Sequence, residues 1–279
     1  MERRRFGRTG REVAVIGQGT WKIAATDRKS TIAALQRGFD LGVTHVDTAE
    51  MYEGAEELVA EAIEGRRDDL FIVSKVLPQN ASRKGTIQAC DRSLARLRTD
   101  RLDCYLLHWR GRLPLEGTIA AFEQLVDEGK ILSWGVSNFD VSDLEDVLQI
   151  AGDGRMVCNQ VLYHLEERGI EHFVLPWCEK HDVAVVAYSP FGQGRFPRRN
   201  SKGGRLLEEI AAAHDATPSQ VALRFLVRRA SVLAIPKAAR LQHVVENALA
   251  GDLRLIEAEL ARIDEAFPPG PPPRELPTL

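Results

Sequence analysis

The feature that most narrows the fold is a repeat of two alternating patterns along 279 residues. Short apolar, β-rich runs recur at 13–16, 44–47, 70–75, 102–108, 131–138, 156–160, 183–189 and 232–237. Amphipathic stretches lie between them. Ser30 to Leu41 carries Ile32, Leu35 and Phe39; Thr86 to Leu97 carries Ile87, Leu94 and Leu97; Thr118 to Val126 carries Ile119, Phe122, Leu125 and Val126. These spacings follow the 3.6-residue period of a helix. A strand that returns to the same end of a sheet needs a crossover helix, so the alternation predicts a mostly parallel sheet. Eight right-handed units can close on themselves and leave no sheet edge exposed.

The expected fold is therefore α/β: a (β/α)₈ TIM barrel with an N-terminal β-hairpin and a C-terminal extra helix. A doubly wound open sheet is the rival. That fold ordinarily carries Gly-x-Gly-x-x-Gly after its first strand, and Gly17-Gln18-Gly19-Thr20-Trp21 lacks the third glycine. Arg5 to Val13 reads as the hairpin, with Gly7 and Gly10 supplying its turn. Thr217-Pro218-Ser219-Gln220 is a capping box with proline at the first helical position. The helix from Glu257 to Phe267 is stopped by the proline-rich tail 268–279, expected to be an extended surface segment. No linker or composition break divides the chain, so one domain is expected over 1–279.

Bulk properties exclude several function classes. The net charge is −3 with both signs mixed throughout, which gives no basic surface for nucleic acid or acidic lipid. No apolar run approaches the roughly 20 residues that span a bilayer. Met1-Glu2-Arg3-Arg4-Arg5-Phe6 is basic but has no apolar segment behind it, so it is not a secretory leader. Cys90, Cys104, Cys158 and Cys178 stand far apart without a Cys-x-x-Cys pair, as reduced, buried thiols of a cytoplasmic protein would. No metal site is expected.

Polar residues fall where a barrel would use them. Active sites of (β/α)₈ barrels are built at the C-terminal ends of the strands. Here seven runs in succession end on functional groups: Asp47, Lys75, His108, Ser137-Asn138, Gln160, Tyr188-Ser189 and Pro236-Lys237. Any one alone has an ordinary explanation: a solvated lysine, a hydrogen-bonded core histidine, an aspartate capping a turn. Seven in order do not. Buried Asp or Lys without partners would cost several kcal/mol, so these groups should face one another across the barrel mouth.

The same residues resemble the aldo-keto reductase family. The match runs through Asp47-Thr48-Ala49-Glu50-Met51-Tyr52, Val73-Ser74-Lys75, Leu106-Leu107-His108-Trp109 and Gly135-Val136-Ser137-Asn138-Phe139. It continues through Asn159-Gln160, Tyr188-Ser189-Pro190-Phe191-Gly192-Gln193-Gly194, and Ile235-Pro236-Lys237 with Glu246-Asn247. The resemblance implies reduction of aldehydes and ketones by hydride from NADPH, with NADH possible. It implies a catalytic tetrad of Asp47, Tyr52, Lys75 and His108. Tyr52 would give its proton to the developing alkoxide, Lys75 would lower the tyrosine pKa, Asp47 would hold Lys75, and His108 would orient the substrate. Ser137, Asn138 and Gln160 would bind the carboxamide, and Tyr188 would stack on the nicotinamide. Ser189, Phe191, Gly192 and Gly194 would follow the pyrophosphate, with Gly19, Thr20, Trp21, Ile235, Lys237, His243, Glu246 and Asn247 completing the cofactor groove. Trp21, Met51, Tyr52 and Trp109 would line the substrate pocket. A monomer is the family default.

The adenosine end departs from the family pattern. Ala238 follows Lys237 where serine is usual, and His243 stands where arginine often does. Lys237, with Arg240 nearby, can still hold a phosphate as a point charge, which predicts a weakened preference for NADPH. The loop Trp109 to Leu115 and the tail after Phe267 are short, so the pocket should be open and favour small or aromatic aldehydes and 2-oxoaldehydes. Arg110 and Arg112 read as a solvated basic loop. Two other readings stay open: a cofactor-sensing subunit with little turnover, and a phosphate-binding barrel lyase or isomerase with Lys75 as Schiff-base nucleophile.

Overall fold

The computed structural model describes residues 1–194 and 196–279. It opens with an antiparallel hairpin of β1 (Arg3–Arg5) and β2 (Glu12–Ala14), in which Arg3 pairs with Ala14 and Arg5 with Glu12. Gly7 and Gly10, at φ +51° and +70°, make its turn, and a Cβ on Gly7 would sit 2.3 Å from the Val157 carbonyl oxygen. The hairpin corks the barrel floor: Phe6 is fully buried, its ring 4.6 Å from that of Phe71.

Eight parallel strands follow: β3 (Gln18–Gly19), β4 (His45–Asp47), β5 (Phe71–Val76), β6 (Cys104–Leu107), β7 (Trp134–Ser137), β8 (Met156–Leu162), β9 (Ala184–Tyr188) and β10 (Val232–Ala234). They are hydrogen-bonded in chain order. The ring closes through parallel bridges from Ile16 to Ala234 and from Gly19 to Lys237, reinforced by Gly17 N–H donating to Ala234 O at 2.8 Å. The expected first run, 13–16, is divided: Val13 and Ala14 belong to the hairpin, and the barrel strand lies further on.

The helices α1 (Arg28–Asp40), α2 (Ala55–Ala62), α3 (Arg83–Leu97), α4 (Leu115–Asp127), α5 (Val141–Ala151), α6 (Val174–Lys180), α8 (Pro218–Leu226) and α9 (Leu241–Ala250) form the outer layer. Two more helices are added to these, α7 (Lys202–Ala213) between β9 and α8, and the expected C-terminal α10 (Glu257–Ala266). Polar caps set several starts. Asp27, Ser82 and Asp140 accept from the backbone N–H three residues on, and Thr217 with Gln220 forms the full capping box.

Side-chain alternation along the strands positions the site. In β5, Ile72 and Val76 pack toward the helices, while Phe71 and Val73 fill the barrel interior. Lys75 falls in the inward phase, at the last such position of its strand. The same phase carries Cys104 and Leu106 inward and then His108, Ala184 and Val186 inward and then Tyr188, Leu233 and Ile235 inward and then Lys237. One periodicity thus delivers the functional groups to one end of the barrel. No helix among the described residues is long and apolar enough to cross a membrane.

Candidate active site

Asp47 is the hub of the site and is almost wholly buried. Its Oδ1 accepts from Lys75 Nζ at 2.6 Å and its Oδ2 from Gln160 Nε2 at 2.7 Å. Its backbone oxygen accepts from both the N–H and the hydroxyl of Thr20. Lys75, with no exposed surface, also donates to Thr48 O at 2.8 Å and reaches Tyr52 Oη at 3.5 Å. Its ammonium lies 4.9 Å from the centre of the Tyr52 ring. An unpaired buried ammonium would be prohibitively costly, and this one has a carboxylate, a carbonyl and a phenol around it.

The environment sets the protonation states. Burial pulls the Lys75 pKa down, but the charges and hydrogen bonds of Asp47 and Tyr52 outweigh it and hold it above the ordinary value. Burial pushes the Tyr52 phenol up, and Lys75 only partly pulls it back. The expectation that Lys75 lowers the tyrosine pKa therefore holds for its own contribution and not for the sum. Desolvation of the phenolate dominates in this pocket. His108 is pushed down to about 2, first by burial and then by the Lys75 charge, so its imidazole is neutral. His108 Nδ1 is buried without a partner among the described residues, which leaves Nε2 as the nitrogen able to meet a ligand.

These groups border a cavity of about 330 Å³. Asp47, Tyr52 and His108 line it, and Lys75 sits behind them. A Schiff-base role for Lys75 fails on this placement: it is sealed off, and its pKa is raised where a nucleophilic amine needs it depressed.

Ser137, Asn138, Gln160, Tyr188 and Ser189 line one stretch of the cavity wall, and Gly19, Thr20, Ile235 and Lys237 line the same cavity. Asn138, at φ +60°, donates to His108 O at 3.2 Å and Ser137 Oγ at 3.3 Å, and accepts from the Tyr188 hydroxyl at 2.9 Å. Gly19 is required where it stands, since a Cβ there would lie 2.6 Å from Ile235 O. Trp21, Met51 and Trp109 make an apolar lip, with Met51 42% and Trp109 37% exposed.

Several expected cofactor residues lie outside this cavity. Phe191 packs edge-on against Phe196, and Gly192 and Gly194 bound a single helical turn. His243, Glu246 and Asn247 lie along α9, His243 exposed and Asn247 buried. Arg110 is held by Asp143 and Asp146, both at 2.6 Å, and so is not a free basic residue at the mouth. Two lining residues went unpredicted, Gln193 and Leu279. The tail is not a simple surface strand. Arg168 donates to Phe267 O, His172 Nε2 lies 2.9 Å from Gly270 O, and Leu279 reaches the cavity. A proline-rich tail gives no sequence signal of where it docks.

A parallel barrel whose mouth holds a buried Asp–Lys pair behind a phenol, beside a neutral imidazole and an amide-rich wall, defines an oxidoreductase acting on carbonyl groups. Residues 15–267 match the model of the aldo/keto reductase family, and the chain belongs to that family. It is 47% identical over 257 residues to the methylglyoxal reductase YeaE of Escherichia coli (strain K12), covering 91% of this chain and 90% of that one. It is 33% identical to the glyoxal reductase of Bacillus subtilis (strain 168), covering 96% and 95%. Its structure superposes with a TM-score of 0.94 on a Klebsiella pneumoniae aldo-keto reductase solved with NADPH, at 44% identity over the whole of both chains.

Proposed function

We propose that this chain reduces 2-oxoaldehydes and other small aldehydes to alcohols with NADPH, using Tyr52 as the proton donor. The observation that carries this reading is the buried Asp47–Lys75–Tyr52 chain opening on the cavity beside His108. The wall fits the cofactor. Gln160 and Ser137 offer an acceptor and a donor to a carboxamide, Tyr188 gives an aromatic face, and exposed Lys237 offers a charge to a phosphate. Bound NADPH supplies the hydride.

The protein residues do the rest. As negative charge grows on the substrate oxygen, Tyr52 Oη donates its proton there and Lys75, 3.5 Å away, stabilises the phenolate left behind. A phenol held above its ordinary pKa keeps its proton until the alkoxide, a stronger base, arrives. Neutral His108 donates from Nε2 to the same oxygen and orients it. Asp47 keeps Lys75 charged and in place. The apolar lip of Trp21, Met51 and Trp109 suits a compact aldehyde, and the two relatives named for methylglyoxal and glyoxal reduction support that class. We also read the chain as a monomer, which sedimentation will test.

The deciding experiment follows NADPH absorbance with methylglyoxal for the wild type and Tyr52→Phe. The variant should lose about 10²- to 10⁴-fold in kcat, the usual contribution of a general acid, while still binding NADPH. Turnover that survives in Tyr52→Phe would refute the assignment. Tight NADPH binding without turnover in the wild type would establish a sensor instead.

A further inference from the structure

Gln160 bridges the cavity and the buried carboxylate behind it. It is almost fully buried, lines the cavity, and gives its amide N–H to the carboxylate that holds Lys75. We infer that Gln160 is a positioning residue that couples the cofactor seat to the proton donor through Asp47. The inference rests on the reading that Tyr52, Lys75 and Asp47 carry the proton transfer.

The chemistry of the bond fixes the amide's orientation. An ionised carboxylate only accepts hydrogen bonds, so Gln160 must present Nε2 to Asp47 Oδ2. A flipped amide would set two oxygens 2.7 Å apart in a buried site. Oε1 is thereby turned away from Asp47, and it receives no hydrogen bond among the described residues. The neighbouring amide is committed as well, since Asn138 donates to His108 O and Ser137 Oγ and accepts from Tyr188. What the wall then offers a ligand includes an acceptor, Gln160 Oε1, beside a donor, the Ser137 hydroxyl proton. That pair matches a primary amide in one orientation, N–H toward Gln160 and C=O toward Ser137.

A ligand N–H on Oε1 would polarise the Gln160 amide and strengthen its bond to Asp47, because linked hydrogen bonds reinforce each other in a buried site. Asp47 holds Lys75, and Lys75 faces Tyr52. Seating the cofactor would therefore tighten the group that donates the proton.

Gln160→Glu tests the coupling with a pH signature. The introduced carboxyl would meet Asp47, and two carboxylates so close must share a proton with a raised pKa. At low pH the shared proton restores the link, and at high pH repulsion breaks it. We expect kcat of the variant to fall about ten-fold more than the wild type's between about pH 6 and pH 9. NADPH affinity, read by quenching of protein fluorescence, should weaken across the same window. Gln160→Met cannot titrate and should be impaired without that window. A Gln160→Glu profile parallel to the wild type in both kcat and affinity would overturn the inference.

A measurement on the wild type covers the case in which the variants fold poorly. An NADPH analogue with acetyl in place of the carboxamide lacks the N–H. It should bind about ten-fold more weakly, the cost of leaving a buried acceptor unpaired. Equal binding would count against the coupling. The two readings can fail separately: an active Tyr52→Phe sinks the proton-donor assignment, whereas an inactive Tyr52→Phe beside a pH-flat Gln160→Glu sinks only the coupling.

Discussion

The two ends of the groove are built differently. At the catalytic end, Asp47 bonds through both carboxylate oxygens and its carbonyl, Lys75 has three partners, and Asn138 is committed at both ends. Nearly all of this is buried. At the other end, Lys237 lines the cavity while Arg240 and His243 lie outside it; all three are exposed, and their side chains make no hydrogen bond or ion pair among the described residues. The first arrangement suits chemistry that depends on fixed distances and protonation states. The second suits holding a permanently charged group from solvent. Loss of one member should be severe and non-additive in the first, modest and additive in the second.

Lys75→Met is the strongest way to break this contrast. It leaves the Asp47 carboxylate buried with one donor fewer and Tyr52 without its cation. Turnover should fall by about 10³-fold and the melting temperature should drop, because breaking a buried pair costs roughly 3–5 kcal/mol. Calorimetry and NADPH consumption on one preparation would check both. A fully active, stable variant would mean that the pair is ornamental.

The pH profile sharpens the same point without mutation. With Tyr52 as the proposed proton donor, reduction needs it protonated, and its pKa is raised, so the rate should be level through neutrality and decline only on the alkaline side. His108 is neutral far below that range, so no imidazolium limb should appear near pH 6.5. A rate that halves between about pH 6 and pH 7 would contradict both assignments.

At the open end, Lys237→Met should weaken NADPH about ten-fold, the scale of one charge contact, with kcat preserved and NADH unaffected. A loss in kcat as large as that of Lys75→Met would erase the distinction between the ends. Smallest of all, His243→Arg should tighten NADPH by about three-fold by supplying a permanent charge and a planar fork. Affinities of both cofactors by fluorescence titration would settle each case.

Much of the barrel was legible because two short-range rules govern it. Alternation along Phe71 to Lys75 and along Cys104 to His108 places the polar strand ends inward, and that pattern is local. Thr217 to Gln220 likewise formed the capping box that its residue types require. What was not legible depends on partners distant in sequence. Val13 and Ala14 look like barrel strand but pair with Arg3 and Arg4, whose side chains are polar and gave no strand signal. Helix α7 lies in a segment rich in glycine and charge. The bond from Gln160 to Asp47 spans 113 residues, and the seat of Leu279 depends on contacts made by Arg168 and His172. The pKa direction of Tyr52 turns on burial, which residue names do not state.

The closure of the ring has a consequence for how the molecule comes into being. Gly19 and Lys237, which border the same cavity, are brought together by the bridge between the first and last parts of the barrel. A ribosome releases the residues around Gly19 long before those around Lys237. Until the eighth strand docks, Gly19 and Lys237 have no fixed relation. A dinucleotide seated against both residues, as proposed above, would therefore select chains whose ends have met.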